Sequence, residues 1–242
     1  MEIEERIKEL VPDDEYVVGF ADLTGLLHKK YKNYTHAVVI GKKLDDRIID
    51  SIEQGPNIEY FNLYNETNKN LSSAVHRVGR FLSARGIPSC AIEPTGSQND
   101  REKPVYNESL ALEHPHKMGA TRAGLGWIGK TDLLVSRKFG PRLRLATVLT
   151  ACPLQPSGMP ENQSRCGSCT ICVDRCPAEA ANGKAWSVEV KREEFFDPFK
   201  CRDKCVELCW KNMKINATIC GICISVCPVG KKAPSPAGTS RQ

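Results

Sequence analysis

The 242-residue sequence contains no long hydrophobic run, and its longest charge-free, mostly apolar stretch is the proline-broken segment 145–160. This stretch is too short for a membrane span, because a spanning helix needs about 20 apolar residues. No targeting peptide is visible, which disfavours a small secreted scaffold. The net charge is only +5, and no basic stripe is interleaved with aromatic residues, so the composition gives no indication of nucleic-acid binding. We therefore expect a cytoplasmic protein.

Cysteine, in contrast, is abundant in the second part of the chain. Ten of the twelve cysteines follow residue 160, which marks a domain boundary near residues 153–164. We expect a first domain over residues 1–155, a cysteine-rich domain over 156–230 and a disordered tail over 231–242. Many thiols without a secretion signal indicate a reducing compartment, and oxygen-sensitive cofactors would suit an anaerobe.

Two cysteine motifs carry the strongest functional signal. The first, CGSCTICVDRCP from Cys166, has the C-x2-C-x2-C-x3-C-P spacing of bacterial [4Fe–4S] proteins. The second, CGICISVCP from Cys220, repeats this spacing with three cysteines. Together they supply seven of the eight thiolates that two clusters need. Structural zinc and disulfide bonds are the alternatives for so many cysteines.

In two-cluster ferredoxins the fourth cysteine of a motif binds the other cluster. On that pattern the first cluster takes Cys166, Cys169, Cys172 and Cys227. The second cluster takes Cys176, Cys220, Cys223 and one further cysteine. The candidates for this last ligand are Cys201, Cys205 and Cys209, which are spaced by four residues on one face of a predicted helix.

The first 150 residues predict an α+β fold, because helical and strand patterns are mixed along the chain. Helices are predicted over 2–10, about 59–85 and 107–123, and strands over 15–23, 35–41, 88–92, 132–136 and 143–150. The long helix is indicated by the +4, +3, +4 spacing of Leu71, Val75, Val78 and Leu82. The first two strands have continuous apolar runs, which are typical of strands in a helix-covered sheet.

The segment from Gly124 to Thr131 (GLGWIGKT) satisfies two nucleotide-binding patterns, G-x-G-x-x-G and G-x4-G-K-[ST]. Both patterns require a buried strand before the loop and a helix after it. Here a helix-like segment precedes the loop and a strand-like segment follows it, so the context disfavours nucleotide binding. Three glycines in six residues would let the backbone approach a large flat ligand, with Trp127 packed on it. A tight turn between core elements is the alternative.

Taken in order, Arg122–Lys130 (RAGLGWIGK), Leu149–Leu154 (LTACPL) and the two cysteine motifs resemble the epoxyqueuosine reductase family, which is related to the reductive dehalogenases. The resemblance covers roughly residues 60–230. It implies a nitroreductase-like α/β domain that binds cobalamin, followed by a ferredoxin-like domain with two [4Fe–4S] clusters. It also implies Cys201 as the eighth ligand, because Asp197–Cys201 (DPFKC) is similar to the D-x-x-[KR]-C stretch of the family.

The resemblance implies a corrinoid-dependent reductase fed by a low-potential electron donor of ferredoxin or flavodoxin type. Its substrate would be a small molecule or a modified nucleoside. The residues expected to line the corrinoid are Gly124, Leu125, Gly126, Trp127, Gly129, Lys130 and Thr150. For proton delivery the candidates are Tyr64, Lys117 and His116, although each of them could equally be a core or surface residue.

The sequence also departs from the family pattern. Where epoxyqueuosine reductases carry the aspartate of a D-S-x-P stretch, proposed as the proton donor, the comparable region reads Ala91–Pro94 (AIEP). The usual T-D-x-P-L becomes Thr150–Leu154 (TACPL), and a helical-repeat C-terminus is not seen. These departures disfavour tRNA as the substrate. The alternative function is a ferredoxin-type electron carrier that activates a partner corrinoid protein and has no substrate of its own.

Overall fold

The structure is a computed structural model, and it describes residues 2–11, 14–95 and 104–231. The tail predicted over 231–242 lies outside these residues except for Lys231. Within the described ranges, no helix is both long and apolar enough to cross a membrane.

The first part of the molecule is built on a four-stranded antiparallel sheet with the strand order β1-β2-β6-β3. Its strands are β1 (Tyr16–Asp22), β2 (His36–Lys43), β3 (Ser89–Ile92) and β6 (Leu143–Thr150). Strand β6 lies between β2 and β3, and its register with β2 runs from His36↔Thr150 to Lys43↔Leu143. The middle of β2 is buried throughout, as its continuous apolar run predicted.

The part of the chain that the structure describes also contains α-helices. They are α1 (Ile3–Glu9), α2 (Asp46–Asp50), α3 (Ile58–Ser83), α4 (Pro104–Ser109), α5 (His116–Arg122), α6 (Ile171–Asp174), α7 (Pro198–Met213) and α8 (Ile222–Ser225). The four apolar residues that predicted α3 are buried in one core cluster with α1 and the sheet. The opposite face of the sheet packs against α5 and against a short hairpin of β4 (Gly126–Ile128) and β5 (Leu134–Ser136). The expected mixture of helices and strands is therefore confirmed.

Two details differ from the sequence-based expectation. The helix expected over 107–123 is split into α4 and α5, because Leu110 has a positive φ of 51° and Pro115 begins a new helix as its N-cap. Proline cannot donate the backbone hydrogen bond that would continue the earlier helix. The glycine segment contains strand β4, which the sequence did not predict because three residues are too few for a periodic pattern.

The cysteine-rich part is held by loops and short helices around α7. Asp197 caps this helix by accepting hydrogen bonds from the backbone of Phe199 and Lys200 at 2.9 and 3.0 Å. Pro198 occupies the first turn, where a missing N–H costs nothing. This cap explains the local DPFKC sequence, since it fixes Cys201 in the first turn of α7. Near the other end of the helix, Cys209 packs into a core cluster with α2 and α3.

Candidate cofactor site

Two adjoining cavities lie between the sheet and the cysteine-rich part, and both are lined by cysteines. The smaller cavity, of about 90 Å³, is lined by Cys166, Cys169, Cys172, Cys223 and Cys227. The larger cavity, of about 440 Å³, is lined by Cys176, Cys201, Cys205, Cys220 and Cys223. Four residues line both cavities and form the partition between them: Thr131, Leu133, Pro141 and Cys223.

The grouping of the cysteines crosses the two sequence motifs. Cys176, the fourth cysteine of the first motif, lies at the larger cavity with Cys220 of the second motif. Cys227, the last cysteine of the second motif, lies at the smaller cavity with the first motif. The structure therefore groups the cysteines as ligand exchange between motifs predicts, with Cys223 lining both cavities.

Three cysteines of α7 were candidates for the eighth ligand. Cys201 and Cys205 both line the larger cavity, and the sulfur of Cys205 lies beside the sulfurs of Cys201 and Cys220. This neighbour lowers the pKa of Cys201 and brings the pKa of Cys220 down to about 7, whereas the same contacts raise the pKa of Cys205. Cys209 is buried and donates to the carbonyl oxygen of Ile219 at 3.0 Å, so it belongs to the core.

The arrangement suits a polynuclear group better than a single ion or disulfide bonds. All twelve cysteines are free thiols, so the disulfide alternative is wrong. Among the described residues, no group of His, Cys, Asp or Glu side chains has the arrangement of a single-metal site, although the sulfurs of Cys201, Cys205 and Cys220 are neighbours. The thiols instead surround cavities.

Buried polar groups beside the second motif also lack partners. The Nε of Arg142 and the Oγ of Ser225 make no hydrogen bond within the part of the chain that is described. Arg142 lies against this motif, because its guanidinium donates to the carbonyl oxygen of Ser225 at 3.2 Å. Burial also raises the pKa of Cys172 to about 11, which disfavours a free thiolate there. The unpaired groups of Arg142 and Ser225 line neither cavity, so the cysteines that line the cavities are the residues that could hold a bound group.

The larger cavity has a mostly apolar lining with one charged corner. There Lys117, in α5, forms an ion pair with Asp132 and donates to its carbonyl oxygen at 2.9 Å. Asp132 has a left-handed backbone with φ of 60°. Arg144, in β6, donates to Asn68 at 2.8 Å. Sequence reasoning missed Asp132 and Arg144, since neither belongs to a recognisable motif.

The residues predicted for proton delivery lie in different settings. Lys117 lines the larger cavity, as described above. Tyr64 is not part of its lining; the Arg144 guanidinium stacks over the Tyr64 ring at 4.0 Å, and the Tyr64 hydroxyl is 3.4 Å from the hydroxyl of Thr95. The structure thus places one of these two candidates at the cavity.

His116 lines the larger cavity, but both of its ring nitrogens are engaged. Nε2 lies 2.8 Å from the carbonyl oxygen of Glu93 and Nδ1 lies 2.9 Å from the hydroxyl of Thr147. Because a carbonyl only accepts, Nε2 carries the proton and Nδ1 accepts from Thr147. Burial, reinforced by the neighbouring His114, lowers the pKa of His116 to about 3. This neutral, fully bonded imidazole is poorly suited to donate a proton to the cavity.

Most residues predicted to line a corrinoid lie away from both cavities. Gly124 turns the chain after α5 with φ of 71°, and a Cβ at Gly126 would collide with the carbonyl oxygen of Val135 in β5. Thr150 is buried and donates to the carbonyl oxygen of Pro88 at 3.1 Å. The predicted residues absent from the lining of these two cavities are Gly124, Leu125, Gly126, Trp127 and Thr150. Gly129 and Lys130 line the smaller cavity.

The sequence comparisons place these sites among known proteins. No family model matches the chain. It is 30% identical over 173 residues to an epoxyqueuosine reductase of Synechococcus sp. strain RCC307, a match that covers 72% of this chain and 48% of that protein. It is 25% identical over 215 residues to a tetrachloroethene reductive dehalogenase of Desulfitobacterium hafniense, covering 84% of this chain and 35% of that protein. The chain is therefore similar to both an epoxyqueuosine reductase and a reductive dehalogenase.

The fold of this epoxyqueuosine reductase-like protein agrees with that relationship. The catabolic reductive dehalogenase NpRdhA aligns with a TM-score of 0.65 and 15% identity, over 89% of this chain and 30% of that chain. Such low identity shows a shared fold and nothing further. The chain spans only 48% and 35% of the two curated relatives described above.

Proposed function

We propose that this protein is an iron–sulfur oxidoreductase that holds two [4Fe–4S] clusters and reduces an acceptor in the larger cavity. The observation that carries the proposal is the exchange of cysteines between two adjoining cavities, one of which has room beyond its thiols. Cys166, Cys169, Cys172 and Cys227 would hold the first cluster. Cys176, Cys201, Cys220 and Cys223 would hold the second. Such clusters supply one-electron transfer at potentials down to about −700 mV.

The residues of the larger cavity would orient the acceptor and supply a proton. Leu143, Leu145 and Ile222 line it and would exclude water, which strengthens electrostatic interactions inside. The Lys117 ammonium is the best placed proton donor, because it lines the cavity and Asp132 holds it in position. Two electrons added to an organic acceptor leave a basic atom that such a donor would protonate.

Cobalamin is the acceptor that family resemblance implies, but the residues predicted to hold it do not fit. A cavity of about 440 Å³ has the size of a site for a drug-sized ligand, and a complete corrinoid is much larger. The glycines of the predicted loop approach the chain's own backbone instead of the cavity. The reduction that we propose therefore does not depend on a bound corrinoid. A small molecule or a modified nucleoside matches the volume better.

The activities for which the two relatives are named support the same class of chemistry. A reductase of epoxyqueuosine and a reductive dehalogenase both deliver electrons to an organic acceptor, and this chain is related to both. The cellular donor in our proposal is a low-potential protein of ferredoxin or flavodoxin type in the cytoplasm. We do not propose tRNA as a partner, because the sequence departs from the family pattern at Ala91–Pro94 and Thr150–Leu154.

Anaerobic purification followed by iron, sulfide and cobalt analysis tests this proposal. We expect about eight irons and eight sulfides per chain, with an absorption band that bleaches on reduction. Zinc in place of iron would contradict it. Uptake of added cobalamin would restore the corrinoid as acceptor. The purified Cys90→Ser protein is the control, because Cys90 lies in neither cavity and should keep the full iron content.

The same preparation separates the reductase from the electron-carrier alternative. Reduced protein should transfer electrons to small organic acceptors, such as halogenated phenols or epoxides, without any partner. Eight irons with no reduction of small acceptors, but rapid transfer to a partner corrinoid protein, would favour the carrier.

A further inference from the structure

Lys130 belongs to the glycine segment, yet its side chain lies at the smaller cavity with the cysteines. The residue is only 5% exposed, and it lines that cavity together with Cys166, Cys169 and Cys172. The backbone is also close, since a Cβ at Gly129 would stand 3.8 Å from the sulfur of Cys166. Within the described ranges, Lys130 has no hydrogen-bond partner and no carboxylate at ion-pair distance.

A lysine that is only 5% exposed and has no counter-charge among the described residues is unfavourable, because it loses hydration and gains little in return. The other buried lysine among the described residues, Lys42, is paired with Glu15 at 2.5 Å. The lysine of the larger cavity, Lys117, is paired with Asp132. Lys130 therefore lacks the compensation that both other lysines have, and it lines a cavity together with cysteines.

We propose that Lys130 is the counter-charge of the cluster held in the smaller cavity, an inference that rests on the proposed function above. An oxidised [4Fe–4S] cluster with four thiolates carries a charge of about −2, and reduction adds one more negative charge. A nearby buried cation stabilises the reduced form more than the oxidised form, because the dry surroundings screen it little. Lys130 thus raises the reduction potential of this cluster and favours it as the place where the incoming electron resides.

This role accounts for the last three residues of the glycine segment, Gly129, Lys130 and Thr131. Thr131 follows Lys130, lines both cavities, and its hydroxyl lies beside the sulfur of Cys223 in the partition. The pattern that resembles a phosphate-binding loop instead directs a cation and a hydroxyl toward thiolates. Phosphates and thiolates have similar requirements of a binding site, since both are anionic and accept hydrogen bonds.

The test compares reduction potentials in the reconstituted holoprotein. Lys130→Gln removes the charge, Lys130→Arg keeps it, and Lys184→Gln removes an exposed charge at a distance from both cavities, where the side chain of Lys184 is 47% exposed. Anaerobic redox titration followed by electron paramagnetic resonance gives the potential of each cluster. We expect a lower potential for one of the two clusters in Lys130→Gln, and values close to wild type in the other two variants.

Iron content, measured on the same samples, separates the possible outcomes. Unchanged potentials in a fully loaded Lys130→Gln protein would overturn the inference and leave the proposed function intact. A wild-type protein that binds no cluster would instead remove the proposed function itself. Loss of iron in Lys130→Gln but not in Lys130→Arg would support charge compensation. Equal loss in both variants would make Lys130 a packing residue and overturn the inference.

Discussion

The two cysteine-lined cavities differ in what surrounds the thiols. The smaller cavity, of about 90 Å³, leaves little room beyond a cluster and faces a lysine without an acid partner. The larger cavity, of about 440 Å³, has a mostly apolar lining and a lysine held by Asp132. A closed site with an unbalanced cation suits electron storage. A larger site with a positioned proton donor suits chemistry on a bound molecule. In our proposal the incoming electron therefore resides at the smaller cavity, and the acceptor is reduced in the larger one.

Removal of one ligand from each cavity has the largest expected effect. Cys169→Ala and Cys220→Ala should each lose about four irons per chain, because each removes one corner of a different cluster. Cys220→Ala should also abolish acceptor reduction, since it empties the site beside the larger cavity. Iron analysis and paramagnetic resonance of the two variants give the result. Cys209→Ser, in the core, is the control, and complete iron loss in both ligand variants would contradict two separable sites.

The choice between Cys201 and Cys205 sharpens the description of the larger cavity. Cys201→Ser should lose the second cluster, because Cys201 lines the larger cavity and ends the Asp197–Cys201 stretch that resembles the ligand stretch of the family. Cys205→Ser should keep the iron, since a hydroxyl can still donate toward the neighbouring sulfurs. Iron content per chain decides between them, and the reverse pattern would identify Cys205 as the ligand.

Neutralising the lysine of the larger cavity should slow chemistry without removing iron. We expect Lys117→Met to reduce acceptor turnover by about 100-fold or more, because a positioned proton donor contributes this much. Asp132→Asn should have a smaller effect, since it only loosens the position of Lys117. Stopped-flow measurement on reduced protein provides the rates. Lys204→Met removes another charge from the same cavity, and an equal loss there would point to cavity charge instead of proton delivery.

Two neighbouring buried histidines, His114 and His116, predict a moderate pH dependence of the free energy of unfolding. Burial lowers the pKa of His114 to about 4 and that of His116 to about 3, whereas an unfolded histidine titrates near about 6.5. Below pH 6.5 the unfolded chain binds more protons, so stability falls as the pH drops toward 4 and is unaffected above 6.5. The slope is at most about 1.4 kcal/mol per pH unit for each histidine.

The variant His114→Phe should remove about half of this dependence. It also removes two buried ring nitrogens that lack partners among the described residues, so stability at pH 7.5 should not fall. Denaturant unfolding of the anaerobic holoprotein between pH 5.5 and 7.5 measures both quantities. His76→Gln is the exposed control, and an unchanged slope in His114→Phe would show that His114 already titrates in the folded protein.

Much of the scaffold could be predicted because its signals are local. The period of Leu71, Val75, Val78 and Leu82 specifies one buried helix face, and α3 follows it. The spacing of the first cysteine motif is likewise local, because one short loop must present several thiols. The break before α5 was harder to predict, since a single proline had to outweigh a helical pattern on both sides.

The glycine segment shows where local pattern stops being informative. Closely spaced glycines indicate that something approaches the backbone, but they do not indicate what approaches. At Gly126 the approaching group is the chain's own strand β5. The nucleotide and corrinoid interpretations both assumed a ligand there, and the local sequence is the same in each case.

The sequence by itself determined the cysteine spacing, the main strands and the long helix, because each depends on neighbours a few residues apart. Only the tertiary structure decided which charges meet. The pairing of Lys117 with Asp132, the contact of Arg144 with Asn68 and the isolation of Lys130 among thiols join residues that are distant in the chain or depend on which way one loop turns. Charge compensation acts through space, so no local pattern can encode which side chain remains unpaired.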